Sequence, residues 1–387
     1  MSIRQTTSFQ SSIFISLVVW GMALCPACGV KDHIDRTREG GVEVVINHVE
    51  PYRIKGQPST FSLEKVSSID TERTDLAEAG MGSAGEWDAD EEGNVYVVGF
   101  KNKENFVYRF DRGGRLLGSF GRRGQGPGEL QWPFLGGVSA TGEISLTDYL
   151  QKFIVYDLNG ALLREVKLKR SALHIDALKN GKFLTFGFRP ELSSDGSYDV
   201  LALSDGEFTE LKILDRYERG LDNTRQVPYF MWRVSGDRIF IANQARGYEI
   251  WVYDLEGNLT RKIRKEYRPV KVTEEIKAAV LGPDYRRSGI PQDRYFTDPL
   301  PPLNQFFADD EGRIFVMAYE RGLNPGEYIW DIFNPDGVFV GRKALNIVWA
   351  SLYLGPRYTF AKNGHLYCHQ EKETGFDELV VYKMIWK

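Results

Sequence analysis

Histidines were considered first for chemistry, because paired imidazoles with a carboxylate can bind a metal ion. The 387-residue sequence has five histidines, and His33 and His48 precede its repeated part. His365 and His369 project to one face if their strand runs that far, with Cys368 on the other, since side chains alternate along a strand. Packed or exposed strand histidines are the favoured interpretation, so no metal ligand is predicted.

Nucleophilic catalysis needs an activated serine or cysteine, and no Ser-His-Asp ordering or Gly-x-Ser-x-Gly elbow is present in the sequence. Four aspartates recur at equivalent places, but each precedes or lies in a turn, where turn chemistry explains it. They are Asp111, Asp157, Asp205 and Asp254. No catalytic residue is predicted.

The most conspicuous motif is the glycine-rich stretch at residues 121–130, in which four glycines and a proline exclude helix or strand interior. Successive N–H groups in such a loop can hold an anion, and Arg122 and Arg123 would reinforce the site. A phosphate-binding loop is excluded, because no Gly-Lys-Ser/Thr ending and no following helix are present. The favoured interpretation is a stiff connector in which Glu129 bonds to the backbone.

The N-terminus is typical of an exported protein. Arg4 is the only charged side chain in the first 30 residues, and residues 13–24 form a largely apolar run. This run has the length of a signal-peptide core and falls short of the ~20 residues that span a bilayer. The following Leu24-Cys25-Pro26-Ala27-Cys28 resembles a bacterial lipoprotein box with Cys28 as the acylated residue. Simple cleavage after Ala27 and an uncleaved anchor are the alternatives.

We therefore expect residues 1–27 to be a signal peptide and residues 28–58 a lipid-anchored tether, with one strand at most, at residues 42–46. The expected location is the bacterial cell envelope, on the periplasmic or outer-membrane side, with the lipid on Cys28 held in the membrane. Cys368 is then the one remaining thiol, so no intramolecular disulfide is expected. A redox role for Cys25 and Cys28 is disfavoured, because Cys25 lies within the signal peptide.

The charge balance argues against nucleic acid as a partner. The chain has 49 Lys and Arg against 53 Asp and Glu, a net charge of −4, so it lacks a global basic field. Its charged fraction of 26% and apolar fraction of 42% are those of an ordinary soluble protein with a core.

A repeat organises the chain from residue 61 onward. Short apolar strands alternate with turns that contain Asp or Asn and Gly, the strongest short hairpin pattern. The first turns of six units lie at residues 90–93, 140–142, 179–181, 235–237, 309–312 and 362–364. Each unit offers four strands, the count of a propeller blade. We predict an all-β, six-bladed β-propeller of four-stranded antiparallel blades over residues 59–387.

The pattern resembles NHL-type six-bladed β-propellers, and residues 120–129 resemble a loop of the bacterial 6-bladed β-propeller lipoproteins. The resemblance covers residues 61–387 and says little about activity, because propellers host many functions. NHL-type lyases and related lactonases use metal ligands in the central channel, and no such ligand set can be matched here. The resemblance thus implies, as an alternative function, a lyase or lactonase with a divalent ion in the channel. No other cofactor is predicted.

The last unit ends with its third strand, because the sequence stops at Lys387. Its blade then lacks an outer strand, and an open edge is a pairing hazard. We expect residues 61–66 to supply that strand and so close the ring, with residues 42–46 as the alternative donor.

Loop lengths predict which side of the disc is functional. In an up-and-down blade, the first and third turns lie on one side, here called the tight-turn face. The second turns and inter-blade links lie on the other, the loop-rich face, where binding loops are expected. The longest link, residues 266–303 between units four and five, contains a predicted helix at 274–281 with Thr273 as its cap.

We expect a ligand or protein partner to bind on the loop-rich face. The candidate residues are Arg122, Arg123, Gln125, Glu129, Arg286, Arg287, Arg294 and Tyr295. The competing interpretation of the 266–303 insert is a decorated loop that covers apolar blade surface.

Overall fold

Short antiparallel strands dominate the chain, as the apolar runs between glycine turns predict. The structure, a computed structural model, describes residues 34–56, 58, 60–99, 101–148, 151–189, 197–219, 230–274, 299–347, 358–372 and 374–387. Many strands are buried along most of their length, because neighbouring sheets cover both of their faces.

Three strands and one short helix precede the first blade. They are β1 (Asp35–Glu39), β2 (Val42–Asn47), β3 (Phe61–Asp70) and α1 (Thr74–Glu78). The sequence analysis did not predict α1, whose five residues are held to the core by the buried Leu76. Within the described ranges, no helix has the length and hydropathy needed to cross a membrane.

The first three blades follow in chain order. Blade 1 comprises β4 (Trp87–Ala89), β5 (Val95–Val98), β6 (Asn105–Phe110) and β7 (Leu116–Arg122). Blade 2 comprises β8 (Pro133–Val138), β9 (Glu143–Asp148), β10 (Lys152–Asp157) and β11 (Leu162–Lys167). Blade 3 comprises β12 (His174–Ala177), β13 (Phe183–Arg189), β14 (Ser197–Ser204) and β15 (Glu210–Arg219).

The other three blades complete the ring. Blade 4 comprises β16 (Phe230–Ser235), β17 (Arg238–Asn243), β18 (Glu249–Asp254) and β19 (Leu259–Lys265). Blade 5 comprises β20 (Gln305–Ala308), β21 (Ile314–Arg321), β22 (Tyr328–Phe333) and β23 (Phe339–Leu345). Blade 6 comprises β24 (Thr359–Lys362), β25 (His365–Glu371), β26 (Asp377–Trp386) and the early strand β3.

The prediction of a six-bladed propeller with four-stranded antiparallel blades is confirmed. Within each blade the strands pair antiparallel in chain order, apart from the contribution of β3 to blade 6. The hydrophobic core is divided into clusters between neighbouring blades. Blades 6 and 1, for example, meet through Trp87 and Tyr367, whose rings lie edge to face at 5.4 Å.

Strand β3 is the outer strand of blade 6. It pairs antiparallel with β26 from Phe61 opposite Trp386 to Asp70 opposite Glu378. The Phe61 ring also packs on those of Trp386, at 4.8 Å, and Phe315, at 5.0 Å. The two ends of the propeller are therefore joined by backbone pairing and by aromatic packing.

The N-terminal hairpin β1–β2 corrects the prediction of a tether over residues 28–58. Strand β2 pairs in parallel with β19, so the hairpin extends blade 4 to six strands. The Asn47 side chain, fully buried, donates to the carbonyls of Arg264 and Gly337 and accepts from the Phe339 N–H at 2.7 Å. Residues 34–47 belong to the folded domain for this reason, and 42–46 are not the strand that completes blade 6.

Hairpin turns on the tight-turn face use the turn aspartates as the sequence predicts. In blade 2, Asp157 Oδ1 accepts from the N–H groups of Asn159 and Ala161 at 2.9 and 2.8 Å, and Gly160 has a φ of +90°, which glycine adopts without strain. Equivalent acceptors are Asp111, Asp205, Asp254 and Asp309. The structural interpretation of the turn aspartates is confirmed.

Candidate functional site

The two faces of the disc differ in the length of their connections. On the tight-turn face, first and third turns have two to five residues, whereas 39 residues separate Lys265 from Gln305 on the loop-rich face. The described ends of that insert are joined by a hydrogen bond from the Leu300 N–H to the Val270 carbonyl at 2.9 Å. The predicted helix at 274–281 and four candidate residues, Arg286, Arg287, Arg294 and Tyr295, lie outside the described residues.

The loop at residues 121–130 is held together by its own glutamate. Glu129 Oε2 accepts from the Gly126 N–H at 2.9 Å, and Glu129 Oε1 accepts from Arg122 Nε at 2.9 Å. These bonds lower the pKa of Glu129, with the Gly126 N–H as the larger cause. At Gly124 an added Cβ would lie 2.0 Å from Glu129 Oε2, so the close approach requires glycine. This is the predicted connector with Glu129 bonded to the backbone.

The anion-binding interpretation of the same loop meets a different arrangement. The Gly128 N–H donates to Glu165 Oε2 at 2.7 Å, so two of the loop's N–H groups already serve carboxylates of this chain. Arg123 lies over the Phe106 ring at 4.3 Å, and Gln125 is exposed. The loop brings Arg122, Arg123, Gln125 and Glu129 together, with both arginines engaged within the chain.

Large apolar side chains are exposed on the loop-rich face. Trp132 in the link before blade 2 is 52% exposed, and Leu323 and Phe376 in the second turns of blades 5 and 6 are 102% and 45% exposed. Tyr267, just after β19, is 39% exposed. Exposed aromatic and aliphatic residues on a loop-bearing surface are typical of an interaction site. The sequence analysis missed them, because single apolar residues in turns carry no periodic pattern.

A cleft of about 100 Å³ opens on the loop-rich face between blades 4 and 5. The hairpin segment contributes Val49 and Glu50, and the insert contributes Tyr267 to Val270 and Leu300 to Pro302. Its remaining walls come from the two blades: Tyr248, Lys265, Ala318, Tyr319, Glu320, Asp331 and Arg342.

Four charged and polar side chains converge at this cleft. Asp331, 1% exposed, accepts from the Tyr248 hydroxyl at 2.8 Å and from Arg342 Nε at 2.9 Å. Lys265 Nζ lies 3.4 Å from the same carboxylate. Burial lowers the pKa of Lys265, and burial with the Asp331 charge raises the pKa of Tyr248. Perturbed groups that meet in a cleft mark a candidate functional site.

Sequence reasoning missed this cluster, although one feature of the chain indicated it. Asp331 interrupts the run Tyr-Ile-Trp-Asp-Ile-Phe of β22, where an unpaired carboxylate would be costly in a buried strand. A partner was therefore required, but Lys265 is 66 positions away in sequence, and the pairing exists only once blades 4 and 5 meet.

On the innermost strands, buried carboxylates bind neighbouring blades together. Glu86 Oε2 accepts from the Leu135 N–H at 2.7 Å, and Asp88 Oδ2 accepts from the Val138 N–H at 2.8 Å. His174 Nδ1 lies 3.4 Å from Glu86 Oε1. Among the described residues, no group of three or more His, Cys, Asp or Glu side chains is placed to hold a metal ion.

The two C-terminal histidines occupy different environments. His369 is buried beside Asp377, with Nε2 at 2.9 Å from Oδ1, and its ring stacks on Tyr358. His365 Nδ1 lies 2.8 Å from the Asn363 carbonyl. Cys368 is fully buried, and burial raises the pKa of its thiol. The packed and exposed strand positions that the sequence favours therefore describe these residues.

The fold and its two unequal faces define the class of protein, a six-bladed β-propeller. Residues 90–227 match the sequence profile of a protein family described as 6-bladed beta-propeller, which confirms the resemblance that the repeats indicate. No curated protein matches the chain significantly.

Solved structures similar to the chain are also propellers or remain distant. BamB from Moraxella catarrhalis has a TM-score of 0.34 and 12% identity, covering 83% of this chain and 100% of its own. The β-propeller domain of Cps50 (Swd1) from Myceliophteria thermophila has 0.40 and 11%, covering 83% and 99%. A protein of unknown function from Bacteroides caccae has 0.36 and 12%, covering 68% and 82%. Similarity at this level carries no argument about function.

Proposed function

We propose that this protein is an exported, lipid-anchored β-propeller that binds a ligand or protein partner on its loop-rich face. The export and anchoring rest on the apolar N-terminal run and on Cys28 in its lipoprotein-like box. The rigid blades would then serve as a scaffold in the cell envelope, with variable loops as the recognition surface.

The observation that carries this proposal is the concentration of exposed apolar side chains and long connections on one face. Trp132, Tyr267, Leu323 and Phe376 project there around the cleft between blades 4 and 5. The tight-turn face is built from hairpins of two to five residues whose polar groups bond within each turn. Tryptophan, tyrosine and phenylalanine are enriched in the cores of protein interfaces.

Charge introduced into the loop-rich face should remove a bound partner. We expect Leu323→Asp with Phe376→Asp to reduce partner retention roughly 30-fold, because losing interface hot spots costs ~2 kcal/mol or more. The measurement is quantitative recovery of proteins from envelope extract on the immobilised protein. The matched control is Leu163→Asp with Val66→Asp, at outer-strand positions that are 53% and 49% exposed. Identical partner sets for both double variants would refute binding on this face.

The lipid anchor has a separate test. We expect Cys28→Ala to move the protein from the membrane fraction to the soluble fraction, since an acylated cysteine is the attachment that the sequence offers. Fractionation of cells that express each form measures this. Cys368→Ala is the control thiol, and membrane retention of the Cys28→Ala protein would contradict lipid anchoring.

A further inference from the structure

We infer that the cleft between blades 4 and 5 binds a small organic carboxylate with an apolar body. This inference rests on the proposed role of the loop-rich face and names the chemical class of one ligand. It follows from three properties of the cleft: an excess of hydrogen-bond donors at its floor, exposed and already paired carboxylates at its rim, and apolar walls.

The floor of the cleft has more donors than acceptors. Lys265, 7% exposed, directs Nζ to the Glu266 carbonyl at 3.1 Å and to Asp331 at 3.4 Å, which uses two of its three donors. Arg342 donates from Nε to Asp331 and from Nη2 to Glu320 at 2.6 Å, so three of its five donors have no partner among the described residues. A ligand that completes this floor must supply acceptors.

The acceptors already present cannot readily serve a cationic ligand. Asp331 is contacted by three donors, from Tyr248, Lys265 and Arg342. A ligand ammonium would have to displace one of these from a buried carboxylate, which is costly. The cleft therefore discriminates against cations by the occupancy of its one buried acid.

Charge is also distributed unevenly with depth. The six charged lining residues sum to zero, three cationic and three anionic: Lys265, Arg268, Arg342, Glu50, Glu320 and Asp331. Glu50 and Glu320, however, are rim groups with 81% and 54% exposed side chains. Below the rim the balance is Lys265 plus Arg342 minus Asp331, a net charge of +1. One singly charged acid neutralises this floor, whereas a phosphate dianion would exceed it.

The walls fit an apolar body rather than a second charge. Leu300, Pro301, Pro302 and Val270 from the insert face Val49 from the hairpin segment. With Tyr267 at the mouth, these side chains would cover the hydrocarbon part of a ligand whose carboxylate reaches Lys265. An apolar wall with a few convergent polar groups is the usual construction of a small-molecule site.

The test compares acids with their neutral amides on the full mature protein. By ligand-observed NMR titration, we expect N-acetyl-leucine to bind about tenfold or more tightly than N-acetyl-leucinamide, or benzoate than benzamide, since one charge-assisted hydrogen bond corresponds to such a factor. The first pair imitates a peptide C-terminus and the second a free acid, so the stronger of the two identifies the source. Equal affinity of acid and amide in both pairs would overturn the inference.

Variants place the effect at the cleft. Lys265→Met should abolish the preference for the acid, and Arg268→Glu, at an 82% exposed rim position, should weaken acid binding several-fold without a folding risk. Lys343→Met is the matched control, because it adjoins Arg342 on β23 but projects to the opposite side of the strand. An acid preference that survives both Lys265→Met and Arg268→Glu would place binding elsewhere and refute the inference.

Failure of this inference differs from failure of the proposed function. The acid–amide comparison uses purified protein and reports on the cleft, whereas partner recovery with Leu323→Asp and Phe376→Asp reports on the surrounding face. Loss of partner in that experiment, with no acid preference in this one, would leave the binding face intact and exclude the carboxylate ligand.

Discussion

Deletion of β3, Phe61–Asp70, abolishes the cooperative unfolding transition of the propeller. This is the largest effect that we expect, because β3 forms the outer strand of blade 6 along its whole length. Its loss leaves the edge of β26 unpaired and removes Phe61 from between Trp386 and Phe315. The ring then opens between blade 6 and the start of the chain, at a cost comparable with the entire ~5–15 kcal/mol stability of a domain.

The control is a chain of matched design that lacks residues 34–47, the hairpin β1–β2. Blade 4 keeps its four strands β16 to β19 without the hairpin, so this chain should still unfold cooperatively, at a lower melting temperature. Thermal unfolding followed by circular dichroism and calorimetry measures both chains. An unchanged transition after deletion of β3 would show that β3 does not hold the ring closed.

Asp331→Ala carries the second largest effect, a loss of roughly 3–5 kcal/mol in the free energy of unfolding. The substitution leaves Lys265 and Arg342 without their shared carboxylate, and an uncompensated buried charge has about this cost. It also removes the acceptor of the buried Tyr248 hydroxyl. Chemical denaturation at neutral pH measures the change.

Two comparisons locate the origin of that loss. Asp336→Ala, at an exposed position in the next turn, should change stability by no more than about 0.5 kcal/mol. Combining Lys265→Met with Asp331→Ala should restore part of the lost stability, since the methionine no longer needs an ion partner. A double variant no more stable than Asp331→Ala alone would mean that Lys265 and Asp331 do not act as a pair.

The propeller could be predicted from the sequence because its determinants are local. Each turn encodes itself: Asp157 and Gly160 lie three positions apart and together fix one hairpin. Repeated six times, such turns define blade number and strand order. The missing outer strand of blade 6 could also be inferred, because the chain ends at Lys387 with one strand too few.

The hairpin β1–β2 could not be predicted in the same way. Its first strand, Asp-Arg-Thr-Arg-Glu, has the composition of a solvated tether. Its order comes from charges brought near by β19: Arg261 Nε donates to Glu43 at 2.7 Å, and Lys262 Nζ donates to Glu39 at 2.9 Å. These partners lie more than 200 positions away in sequence, so no local pattern indicates them.

The candidate site divides along the same line. Loop lengths, which are local, indicated the loop-rich face and the insert that borders the cleft. The Lys265–Asp331 pair and the exposed side chains around it depend on how blades 4 and 5 meet. The motif at residues 121–130 drew attention through composition, but its glutamate and arginine bond to each other, which leaves the loop as a connector at the edge of the site.

Photo-crosslinking in cells tests most directly whether the loop-rich face is the working face. A photoreactive amino acid is placed at Trp132 and at Leu323 on that face. It is also placed at Lys179 and Asp237 on the tight-turn face, where the side chains are 71% and 83% exposed. We predict crosslinked adducts from Trp132 and Leu323 and none from Lys179 and Asp237. Adducts that arise from the tight-turn positions alone would contradict the account.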